Sequence, residues 1–233
     1  MTKLGLDIMC GTVMAEHPIR TFPEFNWIGL DRADLQRFYK PGQFIMHDLK
    51  DYLPFARDTF SMAWTHHGME HLPPLHPYCH YSWHLGPEDY LIWVMNEIWR
   101  ILKPGADIHI VVPWIRHPNA YRDPTHYRFF DGDVFTWFDW RSNQSTHEAY
   151  KLWSKWERIR SDVVDETHVY GILRAIAWES EQERKDVVGA NSMDWKTIDV
   201  PFQGGKPLVD AANFGGVDGN VQFVERPKPS EVP

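Results

Sequence analysis

Apolar residues in this chain come in short runs that close on acids or small turn residues. Leu4–Met9 is the first, and Cys10-Gly11-Thr12 ends it as a tight small-residue turn, so it reads as a buried strand. Trp27-Ile28-Gly29-Leu30 reads as a second strand closing on Asp31, and Phe44-Ile45-Met46 as a third followed by Asp48. Pro18 and Pro23 argue against one long helix between the first two. Phe60–Thr65 is a fourth strand. The strongest helical pattern runs from about Pro87 to Leu102, with Leu91, Val94, Ile98 and Ile101 on one apolar face. Pro87 suits its first position, Glu88 and Asp89 favour its start, and Pro104-Gly105 stops it. Ile108–Val112 follows as a fifth strand. Strand, helix, strand in this rhythm predicts a doubly wound α/β fold, Rossmann-like and mainly parallel.

Beyond that point the pattern weakens. Asp131–Phe138 suits a short helix. Trp156–Val164 and Thr167–Ala177 suit a terminal antiparallel hairpin, with a helix over Lys151–Ile159 as the competing choice. From about Gly189 the chain is rich in Gly, Pro, Asn and Asp and lacks periodicity. The expected division is therefore a domain over residues 1–180 and an irregular tail over 181–233.

Composition narrows the function classes. Lys and Arg number 24 against 32 Asp and Glu, a net charge of −8, so long duplex nucleic acid is not an expected partner. No apolar stretch is long enough to predict a membrane span, and the first ten residues lack a signal-peptide layout. Cys10 and Cys79 make no disulfide framework, so a reducing cytoplasm is the expected compartment, a host's for a viral chain.

In a sheet of this kind ligands bind beyond the carboxyl ends of the strands. Gly11, Asp31 and Asp48 all fall at that edge, in order. A carboxylate closing the second strand can accept from two vicinal ribose hydroxyls, although Asp at a strand end is also an ordinary turn former.

These residues resemble the class I S-adenosylmethionine-dependent methyltransferases. Leu6-Asp7-Ile8-Met9-Cys10-Gly11-Thr12 resembles the family's glycine-rich first motif, and Trp27–Asp31 its second strand. His47-Asp48-Leu49, Leu53-Pro54-Phe55 and Asp58-Thr59-Phe60 resemble its third-strand acid and "LPF…D..F" segment. Met69-Glu70-His71-Leu72 is similar to its "LEHL" turn, and Asn96–Gly105 to its "E..R.LKPGG" helix-to-turn signature. The resemblance covers residues 4–113. Arg122-Asp123-Pro124-Thr125-His126-Tyr127-Arg128 extends it toward a subgroup common in bacteriophage and environmental genomes. Met9 and Val13 stand where two of the glycines of D-x-G-x-G-x-G belong, and only Gly11 is kept.

The resemblance implies S-adenosylmethionine as cofactor and methyl transfer to an acceptor that is not readable from the chain. The first-motif turn, with Asp7 and Gly11, would hold the methionine part. Asp31 would hold the ribose, Asp48 and Leu49 the adenine, and His66 would lie near the methionine end. The alternative is a binding or structural protein that keeps the fold with weakened cofactor affinity, because glycine at the first motif lets backbone approach a ligand closely.

Two clusters remain. Six histidines, His66, His67, His71, His76, His80 and His84, lie with Glu70 and Cys79 in one stretch, and His67–His71 fits H-x-x-E-H. Imidazole and thiolate together suit zinc, but Pro73-Pro74 and Gly68 make the helix that signature needs poor; no metal ligands are assigned and a solvated loop is expected, with structural metal in the His-rich stretch as the competing reading. After strand five, aromatic residues from Trp114 to Trp140 suit a packed lid or a stacking surface. Within them Tyr121 and His126 are the candidate catalytic residues. His126 would take a proton from the acceptor, or else brace the lid by hydrogen bonds.

Overall fold

The short apolar runs pair as parallel strands of one sheet. A computed structural model describes residues 3–12, 18–74, 89–144, 149–180 and 182–183. Strands β1 (Lys3–Ile8), β2 (Phe25–Asp31), β3 (Phe44–Met46), β4 (Phe60–His66) and β5 (Leu102–Pro113) are followed by β6 (Trp156–Val164) and β7 (His168–Ala175). The sheet order is β3-β2-β1-β4-β5-β7-β6, parallel from β3 to β5, with β7 antiparallel to both its neighbours. This is a Rossmann-like α/β fold with a reversed last strand. The helix over Lys151–Ile159 does not form: Trp156 to Ile159 belong to β6, and Trp156 is fully buried. Asp131–Phe138 narrows to a 3-10 turn over Val134–Phe138.

One long helix, α2 (Tyr90–Ile101), crosses from β4 to β5. It starts later than the pattern predicts, because Asp89 is its N-cap and accepts from the Leu91 and Ile92 amides at 2.8 and 3.2 Å. Pro87, Glu88 and the histidines His76, His80 and His84 lie outside the described residues, as does the tail apart from residues 182–183. All 12 residues of α2 are buried, where the periodicity predicts one apolar face. The outer face is covered by residues 151–156. The Asn96 amide donates to the Lys151 carbonyl at 3.1 Å and accepts from the Ser154 amide at 3.0 Å. β5 begins as soon as α2 ends, with a register shift opposite Phe60–Met62 that lets Lys103-Pro104-Gly105 loop outward.

The winding is uneven. The helices α1 (Pro18–Thr21) and α3 (Asn119–Arg122) have four residues each. Pro18 and Pro23 bracket α1, and Pro41-Gly42 break the β2–β3 connection. On the face opposite α2 the sheet is packed by rings instead, with Trp27, Phe44 and Trp64 buried and Phe22, Phe25 and Tyr39 against them. Trp27 lies across Gly5 so closely that a Cβ there would be 2.6 Å from its ring. This layer holds Trp27 and Trp64, two of the 12 tryptophans in the chain. No helix among the described residues is long and apolar enough to cross a membrane.

Candidate functional site

Parallel pairing brings the ends of β1 to β5 to one edge. The backbone after β1 turns through left-handed conformations at Met9 (φ 57°) and Gly11 (φ 55°). The Gly11 amide donates to Asp31 Oδ2 at 3.0 Å, and the Ala33 amide to Oδ1 at 3.0 Å. One carboxylate thus ties the turn after β1 to the turn after β2. Among the described residues a Cβ on Gly11 would meet nothing within 4 Å, so they leave the space above this turn open. Met9 points the other way. Its sulfur would lie 2.8 Å from a Cβ on Gly68, so its side chain fills a gap between the loops after β1 and β4. Val13 is outside the described residues.

Asp7 is 4% exposed, and burial together with the nearby Asp31 charge holds its carboxyl well above the usual range. Burial also pushes the Cys10 thiol up to about 12. The Tyr39 hydroxyl, from the β2–β3 connection, donates to the Gly11 carbonyl and stacks its ring on Phe44. No motif marks Tyr39 in the sequence; only the fold puts it over the turn.

After β3, Asp48 accepts from the Lys50 amide at 3.0 Å and from the Tyr90 hydroxyl at 3.4 Å, and its side chain stays 38% exposed. Burial and the Asp48 carboxylate drive the Tyr90 hydroxyl far above its ordinary range. Leu49 is 6% exposed and packs in the core, its carbonyl accepting from the Trp93 indole at 3.1 Å. The side chain expected to cover an adenine ring therefore belongs to the core beneath that position.

The loops after β4 and β5 touch directly. His66 ends β4, His67 takes a left-handed turn (φ 57°), and Met69–His71 form a 3-10 turn, so the H-x-x-E-H spacing lies on no helix. The Tyr127 and Arg128 amides donate to the Glu70 carbonyl at 2.8 and 3.2 Å. The Arg128 guanidinium donates to the Leu72 and Pro73 carbonyls and to the Asp89 cap. Residues 123–128 thereby clamp the turn after β4 to the start of α2. His126 is 8% exposed at its side chain, its Nδ1 bonded to the Ala120 carbonyl at 3.1 Å and its Nε2 turned toward Glu70. Tyr121 stands on the surface, 59% exposed, stacked on Phe129. Sequence reasoning missed His168: it lies about a hundred residues from His67, yet their Nε2 atoms are 3.0 Å apart.

A cavity of about 330 Å³ lies at the opposite edge of the sheet, lined by Arg57, Trp99, Leu102, Pro104, Ala175 and Trp178. None of the expected site residues reaches it.

No family model matches the chain, and no curated protein matches it. Solved structures do. The PH0226 protein from Pyrococcus horikoshii has 15% identity and a TM-score of 0.51, over 75% of this chain and 82% of its own. A chain in the complex between the Haloferax volcanii Trm112 methyltransferase activator and the putative methyltransferase has 15% identity and a TM-score of 0.49, over 76% and 84%. A SAM dependent methyltransferase from Archaeoglobus fulgidus has 20% identity and a TM-score of 0.45, over 58% and 57%. The likeness is one of fold.

Proposed function

We propose that this protein is an S-adenosylmethionine-dependent methyltransferase with a divergent first motif. The observation that carries this reading is the Asp31 carboxylate bound to the Gly11 amide beneath the open space of a left-handed turn. The motif resemblance over residues 4–113 supports it, and the residues present fit the cofactor. The turn at Met9–Gly11 keeps glycine-like backbone geometry, and Met9 sends its bulk into the core rather than over the turn. Asp31 retains lone pairs for ribose hydroxyls while Gly11 and Ala33 fix its orientation. Asp48, with Tyr90 behind it, offers a half-exposed acceptor to an adenine amino group, and Leu49 holds that loop in the core. Asp7 supports the turn from below, and His66 faces the methionine end.

When bound, S-adenosylmethionine supplies a methyl group already activated on a sulfonium, so the chain's task is to position reactants and exclude water. The acceptor side is assigned to the contact between residues 66–71 and 121–127. There Tyr121 is the exposed group, whereas both nitrogens of His126 face the protein, and His126 is read as bracing the segment.

Calorimetric titration with S-adenosylmethionine and S-adenosylhomocysteine tests the reading. Binding should appear in the wild type and weaken about 10- to 100-fold in Asp31→Ala, the worth of a charged hydrogen bond. Asp31→Asn, which can still accept from Gly11, separates loss of contact from collapse of the turn. No heat at millimolar ligand would leave a binding or structural protein built on the same fold.

A further inference from the structure

Glu70 is the least explained group in the molecule. Its side chain is 1% exposed, and among the described residues neither carboxylate oxygen accepts a hydrogen bond. A buried carboxylate without donors is costly unless a cation neutralises it. Its neighbours are imidazoles. His126 Nε2 lies 3.9 Å from Glu70 Oε1, and His67 Nδ1 lies 3.2 Å from the same oxygen, out of line for a hydrogen bond. His71 completes a set in which one ligand atom each from Glu70, His71 and His126 lies within 4.8 Å of the others.

The tautomers of both histidines follow from their partners. His126 Nδ1 faces the Ala120 carbonyl at 3.1 Å, which can only accept, so Nδ1 carries the proton and Nε2 a lone pair. Thr125 donates its hydroxyl proton to Asp123 at 2.6 Å, so toward His71 Nδ1, 3.0 Å away, that oxygen accepts. The Thr125 carbonyl, 3.3 Å from the same nitrogen, also accepts. His71 Nδ1 therefore carries its proton too, and Nε2 is left with a lone pair. Two imidazoles held by their Nδ1 protons, with Nε2 presented beside a carboxylate, is the arrangement that outer hydrogen bonds impose on metal-ligating histidines.

We propose that Glu70, His71 and His126 bind one divalent ion of the zinc class. Two imidazoles and a carboxylate are the donor set of zinc sites that keep a fourth position for water or substrate. The ion would join the turn after β4 to residues 123–126, and Asp123, Thr125 and Ala120 would orient its ligands. His66, His67 and His168 form a second group of similar span, made of three histidines with no carboxylate among its members. The inference does not rest on methyl transfer.

The test is metal binding by the full chain, freed of metal with a chelator and titrated with Zn²⁺ against a chromophoric competitor. Elemental analysis gives the stoichiometry, and Co²⁺ substitution the ligand field. One equivalent is expected, with the visible bands of a four-coordinate ion in the Co²⁺ form. His71→Ala/His126→Ala should lose that equivalent, and His66→Ala/His168→Ala should keep it. Glu70→Gln should lose it while melting higher than the metal-free wild type, since the amide relieves the buried charge. Thr125→Val leaves every ligand in place and should weaken binding about 10- to 100-fold. It decides the matter should the ligand variants fail to fold. Unchanged affinity in Thr125→Val, or loss of the equivalent in His66→Ala/His168→Ala instead, would overturn the proposal.

Discussion

Arg100→Met should destabilise this fold more than most single substitutions, and the reason can be counted. Arg100 is 2% exposed and its guanidinium makes four hydrogen bonds. Nε and Nη2 donate to the two oxygens of Glu97 at 2.9 and 2.8 Å, Nη1 to the Phe55 carbonyl at 2.8 Å, and Nη2 also to the Leu53 carbonyl at 2.9 Å. Glu97, 1% exposed, accepts in addition from the Leu53 amide at 2.9 Å. The pair therefore pins the Leu53-Pro54-Phe55 loop to α2. That loop continues directly from Asp48 and Leu49. Methionine fills much of the space but strands a buried carboxylate and two carbonyls. Breaking a buried pair from one side costs about 3–5 kcal/mol. For a domain of this size that is a fall of roughly 6–20 °C in melting temperature. Urea unfolding by linear extrapolation measures it. Glu97→Met/Arg100→Met removes both charges and should recover part of the loss, leaving a coupling of about 2 kcal/mol or more across the cycle. A loss below about 1 kcal/mol in Arg100→Met, or strict additivity in the double variant, would refute the buried-pair account.

Three further outcomes follow from burial. Burial lowers His109 to about 4, only partly opposed by Asp107, while the unfolded imidazole titrates near 6.5. Stability should be intact above pH 6.5 and fall by at most about 3 kcal/mol as the pH drops toward 4, a limb that His109→Asn should remove. An unchanged acid limb in that variant would show that another group is responsible. With its thiol near 12, Cys10 should have about one thiol in ten thousand ionised at pH 8. Iodoacetamide should then spare the Cys10 peptide in the native protein and label it in urea, and equal labelling rates would contradict its burial. Gly171→Ala places a Cβ 2.3 Å from the ring of Phe135, which is fully buried and cannot step aside. It should cost about 1–3 kcal/mol in urea unfolding, and a change within about 0.5 kcal/mol would mean the ring yields.

The parallel strands were legible because each was a short apolar run ended by a turn former, and burial on both faces demands such runs. β7 was legible for a different reason, its alternation of buried and half-buried positions, with β6 facing it across a turn. The full burial of α2 was not, because its outer face is closed by residues fifty positions away whose link to Asn96 leaves no periodic trace. At the site, Gly11, Asp31 and Asp48 could be read from position alone, since the edge of the sheet fixes where strand-ending residues go. The contacts of Tyr39, Tyr90 and His168 could not. Each meets a partner on another element, and one sequence carries no record of which elements meet. His126 shows the limit most plainly. Its residue type and loop suggested proton transfer or bracing, and nothing in the sequence tells that Nδ1 meets the Ala120 carbonyl while Nε2 lies 3.9 Å from Glu70 and 4.0 Å from Asp123.

Met9 turns an apparent defect of the first motif into a packing relation. A non-glycine residue in the left-handed region costs about 1 kcal/mol, and Met9 sits there at φ 57°. The cost is offset by its side chain, which packs on the core and lies over Gly68. Any Cβ at position 68 would come within 2.8 Å of the Met9 sulfur and of Thr65 Oγ1, which is itself fully buried. The turn after β1 lacks a glycine at Met9, and the glycine facing it is Gly68, one strand away after β4. In this chain only one of the two facing loops carries a side chain into the gap, and among the described residues the space above Gly11 stays open.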